Sequence, residues 1–389
     1  MDYIPRTLEP HLQRLATQFP VVTLTGPRQS GKSTLVRHAF SEKPYVSCED
    51  PDNRLFATQD PRGFLDTYPN AVIDEAQKVP DIFSYIQTKV DATNEPGQYI
   101  LTGSHDFILF EKISQSLAGR TAILRLLPFS LEEIHGKTAY DSPDQYLFNG
   151  FYPRLHQMAI SPKDFYSSYV QTYIERDVRL IKNITNLSQF QLLLKMCAGR
   201  LGQLLNLSSL GNECGISHST VKSWLSILEA SYIIFFLQPH HVNFNKRLVK
   251  MPKLYFHDPG LAAFLLGIES VDQVATHYNR GGLFESLIIS ELIKKQFHTA
   301  NQNRCYFWRD NNGNEIDCLM EKGDQLTPIE IKSGKTITRD YFKGVDYYQK
   351  LAGNQAAYPY VVYGGDNEQK RSNAHVLPWN KMGRIRFPL

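Results

Sequence analysis

Residues 25–36, TGPRQSGKSTLV, constrain the fold of this chain more than any other stretch. The apolar run VVTL (21–24) stands before them and the helix-forming STLVRHAF (33–40) follows. Between the two lies an unbroken G-x-x-x-x-G-K-[ST], from Gly26 to Ser33. A buried strand that turns through such a loop into a helix predicts an α/β domain built on a parallel sheet. The glycines let the backbone curl until its N–H groups point inward at phosphate oxygens. The positive N-terminal end of the helix favours the same anion. Lys32 would reach the β- and γ-phosphates, and the Ser33 hydroxyl would hold Mg²⁺. The expected cofactors are therefore ATP and Mg²⁺. The residues expected to bind them are Gly26, Pro27, Arg28, Gln29, Ser30, Gly31, Lys32, Ser33 and Thr34.

A site of this kind also needs a carboxylate at the end of a nearby strand. NAVIDEAQKVP (70–80) supplies it: Ala71, Val72 and Ile73 predict a buried strand that stops at Asp74 and Glu75, as a parallel strand ending at a site does. Asp74 would hold the Mg²⁺ shell, and Glu75 would orient or deprotonate the attacking water. QYILTGS (98–104) predicts a third strand. Ser104, with Thr102 as the weaker candidate, would sense the terminal phosphate. In QSLAGRTAILRLLPFS (115–130), Arg120 is the candidate finger for a phosphate in its own or a neighbouring subunit. Arg125 and Arg154 are its rivals, and a plain surface salt bridge is the competing reading.

GPRQSGKST, VIDEAQ, ILTGS, SLAGR and LPFSLEE, in this order, resemble AAA+ ATPases of a prokaryotic group. The resemblance covers nearly the whole chain. It implies an ATP-hydrolysing first domain, then a winged helix, then a nuclease-like domain.

Residues 151–206 read as mostly helical, and FYSSYVQTYIERDVRLI (165–181) as a packed segment with salt bridges. LSSLGNEC (207–214) predicts a short helix, CGIS a turn, and Ser217 the N-cap of a second helix. Val221, Trp224, Leu225 and Leu228 give that helix one apolar face, with Ser219, Lys222, Ser223 and Ser226 opposite. The strand IIFFL (233–237), a loop and LYFHD (254–258) complete a winged-helix signature. Lys246, Arg247, Lys250 and Lys253 form a basic cluster suited to DNA phosphates. One lysine and no arginine on the second helix leave base readout poorly supported.

GGLFESLIISELIKK (281–295) reads as a helix apolar nearly all round, with Glu285 on an apolar face. A carboxylate there is costly to bury unless paired or metal-bound. CYFWRD, the turn NNGN, EIDCLME and LTPIEIKSGK predict strand, hairpin and strand. Period-two alternation puts Asp317, Glu330 and Lys332 on one polar face, with Glu285 approaching from the helix. Hard oxygen ligands hold Mg²⁺, and the metal activates a bound water and neutralises phosphate charge. Glu285, Asp317 and Glu330 are thus expected metal ligands, with Lys332 catalytic. A half-exposed strand with a cross-strand ion pair is the competing reading. The set resembles the PD-(D/E)XK nuclease superfamily, although Ile316 stands where the superfamily usually has proline.

The net charge of +3 on 389 residues is too weak by itself to demand nucleic acid. Five scattered cysteines without a C-x-x-C pair read as reduced thiols in the cytoplasm. The N-terminus lacks a secretory pattern, and IIFFL is far short of the roughly 20 apolar residues that span a bilayer. The expected layout is a P-loop AAA+ ATPase domain over 1–140, a helical and winged-helix domain over 141–268, and an α/β PD-(D/E)XK-like domain over 269–389. The expected function is a DNA-associated ATPase with an Mg-dependent endonuclease domain, for which the resemblance also permits a homo-oligomer. The alternative is a nucleotide-dependent switch that binds a protein partner and keeps the nuclease-like domain as a scaffold.

Overall fold

The computed structural model describes residues 3–93, 95–104, 116–178, 184, 186–240 and 249–385, without the side chains of 175–178. Lys246, Arg247 and the charged side chains of Glu175, Arg176 and Asp177 therefore lie outside the described residues. The chain divides into two compact units. One holds residues 1–129 with 230–232 and 296–302; the other holds the remainder.

The first unit is built on five parallel strands: β1 (Val21–Thr25), β2 (Tyr45–Ser47), β3 (Val72–Asp74), β4 (Tyr99–Gly103) and β5 (Thr121–Arg125). Their order is β2-β3-β4-β1-β5. Side chains alternate between two apolar layers. Val21, Ile73 and Leu101 enter one layer, and Val22, Leu24, Val72 and Ile100 the other. A parallel sheet covered on both faces needs such near-continuous apolar strands. The order has one consequence for the site. β4 lies between β1 and β3, so the loop after β1 and the acids at the end of β3 flank the end of β4.

In the second unit the helices α2 (Leu207–Cys214) and α3 (His218–Ala230) are followed by β6 (Ile234–Pro239) and β7 (Lys253–Phe256). Ser217 caps α3 by accepting from the Thr220 N–H at 3.1 Å. β6 and β7 pair antiparallel, Ile234 opposite Phe256. A longer helix, α4 (Arg280–His298), precedes β8 (Cys305–Arg309), β9 (Glu315–Lys322), β10 (Gln325–Lys332), β11 (Tyr360–Tyr363), β12 (Gln369–Lys370) and β13 (His375–Pro378). One sheet of order β12-β13-β11-β10-β9-β8-β6-β7 runs through all of these strands.

That sheet joins strands from both of the expected later domains. The boundary placed at 268 falls inside one compact unit, because β6 pairs in parallel with β8 at Gln238–Tyr306 and Pro239–Phe307. The leading segment of the first compact unit ends at Phe129. Pairing across nearly seventy residues leaves no local sequence pattern. Among the described residues no helix is long and apolar enough to cross a membrane, and all five cysteines are buried and form no disulfide.

Candidate functional site

The loop after β1 has the curl its glycines predict. Gly26 has φ +149°, and a Cβ there would lie 2.1 Å from the Leu126 carbonyl oxygen, so only glycine fits. Gly31 begins α1 (Lys32–Ala39) with φ +93°. Gln29 also takes a left-handed φ of +62°, and the Ser30 hydroxyl is buried without a hydrogen-bond partner. Lys32 is buried and donates to the Gly26 and Pro27 carbonyls at 2.9 and 2.8 Å. Burial pulls its pKa down to about 8, against the opposing pull of Glu75 and Asp74. Arg28 turns away to an exposed pair with Glu49 at 3.0 Å. A cavity of about 530 Å³ lies beside the loop, lined by Ser33, Thr34, Tyr3, Arg37 and His38.

The two acids at the end of β3 are held differently. One Asp74 oxygen accepts from Ser33 at 2.8 Å and from Tyr45 at 2.5 Å; the other accepts from Thr102. Ser33 and Asp74 thus form one oxygen cluster. Glu75 sits at φ +54°, a left-handed conformation unusual for a non-glycine residue. Its N–H donates to Thr102 at 3.2 Å. Its carboxylate accepts from Ser104 at 3.0 Å and from Gln77 at 2.5 Å. The surrounding bonds over-determine a strained backbone, as they do at working sites. Tyr45 and Gln77 carry no signal as single residues, although Gln77 lies two places after Glu75 in VIDEAQ.

These residues fit Mg-ATP. A curled loop that a Cβ would obstruct, a buried ammonium and an unpartnered Ser30 hydroxyl suit a polyphosphate. The Ser33–Asp74 pair offers the hard oxygens that Mg²⁺ prefers. Arg120 does not fit this chain's own site. Its carbonyl accepts from Val21 at the start of β1, so it stands at the sheet end opposite the loop. Five strand residues at about 3.3 Å each separate the two ends. Its guanidinium forms a two-pronged exposed pair with Asp91, one contact at 2.8 Å, which is the competing surface reading. Arg125 is at the correct end of β5 and lies over the Phe297 ring at 5.1 Å. Arg154 is an exposed residue of the second unit.

The second unit gathers Glu285, Asp317, Glu330 and Lys332, but around lysines. Lys332 Nζ lies 2.6 Å from Glu330 and 3.6 Å from Asp317. Asp317 also accepts from the Ile331 N–H at 2.7 Å. Glu285 accepts from Tyr255 at 2.5 Å and pairs with Lys253 at 3.2 Å. Lys253, only 3% exposed, also contacts Glu315, which pairs in turn with Arg309 at 3.1 Å. Burial lowers the lysine pKa values, but the carboxylates outweigh it: Glu285, Asp317 and Glu315 hold Lys253 above the ordinary range, and Asp317 and Glu330 hold Lys332 there. Burial, with Asp317 next, pushes Glu330 up to about 8. Burial also raises Glu285, which Lys253 opposes.

One expectation is corrected here: Lys253 is too buried to serve as a phosphate-binding wing residue. Its charge is directed to the carboxylates of Glu285 and Glu315. Among the described residues no three His, Cys, Asp or Glu side chains gather closely enough to hold a metal ion. Lys253 and Lys332 stand among Glu285, Asp317 and Glu330 and neutralise part of their charge. Of the expected wing cations, Lys250 is exposed.

Residues 18–135 match the model of an AAA domain. Residues 140–272 and 280–382 match two domains of unknown function, DUF8612 and DUF4143. Two mycobacterial relatives, the uncharacterized proteins Rv2008c of Mycobacterium tuberculosis and Mb2031c of Mycobacterium bovis, are each 30% identical over 374 residues, 94% of this chain and 81% of theirs. Among solved structures, the Walker-type ATPase PABY2304 of Pyrococcus abyssi is 16% identical, with a TM-score of 0.44 over 68% of this chain and 96% of that one.

Proposed function

The chain belongs to the family of the mycobacterial protein Rv2008c, and from that premise we propose that it is an ATP-driven switch whose first unit binds and hydrolyses Mg-ATP. The observation that carries this reading is the joint placement of Lys32, Ser33, Asp74 and Glu75 at one end of the parallel sheet. Ser33 and Asp74 would hold Mg²⁺, which when bound neutralises phosphate charge. Lys32 meets the β- and γ-phosphates. Glu75 accepts the proton of the attacking water, with Ser104 and Gln77 fixing its carboxylate. Ser104 lies close enough to Glu75 to report the terminal phosphate to it. A role for Arg120 requires a homo-oligomer in which it leaves Asp91 and acts on a neighbour.

The second unit then serves as a scaffold that recognises a protein partner. The carboxylate cluster, already neutralised in part by Lys253 and Lys332, supports this reading over an endonuclease. DNA contact in this reading is confined to the exposed Ser219, Lys222 and Ser226 of α3 and to Lys250. The purified protein with Mg²⁺ and ATP is expected to release phosphate and to leave supercoiled plasmid intact under every nucleotide condition. Nicking that vanishes in Lys332→Ala would overturn the scaffold reading. A lack of phosphate release would count against the ATPase.

A further inference from the structure

We propose that Arg6 is a positioning residue that sets the direction of the phosphate-binding peptide between Ser30 and Gly31; this rests on the nucleotide reading above. Arg6 is 5% exposed, an uncommon place for a guanidinium. One terminal nitrogen donates to the Ser30 carbonyl at 2.8 Å and the other to the Leu127 carbonyl at 2.7 Å. The guanidinium plane lies over the Phe129 ring, 4.8 Å from its centroid. The fork therefore ties the loop after β1 to the segment after β5, where Leu126 already donates to Thr25 at 2.8 Å.

The geometry of one peptide gives this tie its purpose. In a trans peptide the C=O and the following N–H point in opposite directions. A cation that grips the Ser30 oxygen on one side turns the Gly31 N–H to the other, away from Arg6. Gly31 is the residue at which such a peptide most easily flips, because its φ of +93° carries no Cβ penalty. Arg6 removes that freedom before the ligand arrives. Preorganised N–H groups bind an anion without a reorganisation cost. Nothing in the motif signals this, since Arg6 stands twenty residues ahead of Gly26.

Arg6→Gln and Arg6→Lys test the assignment in the full-length protein. Titration calorimetry with Mg-ATP and with Mg-tripolyphosphate reads the affinity, and far-UV circular dichroism with a melt reads the fold. Loss of hydrogen bonds to a charged donor costs roughly a factor of 10–100. Arg6→Gln is expected to weaken both ligands by about that factor and by equal amounts, with kcat at saturation within about twofold. Arg6→Lys, which keeps the charge and one donor, is expected to recover most of the loss. A folded Arg6→Gln variant that binds as tightly as wild type would overturn the assignment alone. So would a loss for ATP that tripolyphosphate does not share. Wild type that binds neither ligand would overturn the nucleotide reading as well.

Discussion

Glu75→Gln is expected to keep ATP binding and to lower turnover by roughly 10²–10⁴-fold, the usual range for a positioned general base. The variant is isosteric, so Ser104 and Gln77 keep a partner and the left-handed backbone at residue 75 keeps its bond to Thr102. Only the capacity to accept a proton is lost. Single-turnover phosphate release, with binding measured separately, separates the two effects. Normal turnover in the variant would remove Glu75 from the chemistry and leave its strained backbone without a catalytic explanation.

Lys253→Met is expected to destabilise the second unit by about 3–5 kcal/mol, the usual cost of breaking a buried pair from one side. Methionine fills the volume but leaves Glu285 and Glu315 facing each other without their shared cation. The unfolding transition of that unit should fall by an amount of the order of 10 °C. Adding Glu285→Gln to the same variant should recover part of the loss, because it removes one uncompensated charge. A melting temperature within about 2 °C of wild type would show that the lysine is dispensable. The carboxylates would then be free for another role.

The first site was legible because its parts are local. Gly26 to Ser33 is one continuous loop, and Asp74 and Glu75 terminate an apolar run that can only be a buried strand. Such patterns are fixed by backbone geometry over a few residues. The brace from Arg6 and the Tyr45 contact with Asp74 join segments far apart in sequence, and no spacing encodes them. The same limit explains Lys253. As one of four cations near a hairpin it looked like a phosphate contact. Its partners come from α4 and β9, thirty and more residues later, and burial among them changes its role. The alternation that placed Asp317, Glu330 and Lys332 on one face was sound. Alternation reports which way a side chain points, not what already neutralises it.

The claim on which the account stands is that the loop at 26–33 grips a triphosphate through Lys32. Titration calorimetry of the full-length protein with Mg²⁺ and a non-hydrolysable ATP analogue tests it most directly. The account predicts saturable binding at one site per chain in wild type, and none in a Lys32→Ala variant whose circular dichroism and melt show it folded. No binding in wild type, or equal binding in the variant, would contradict it.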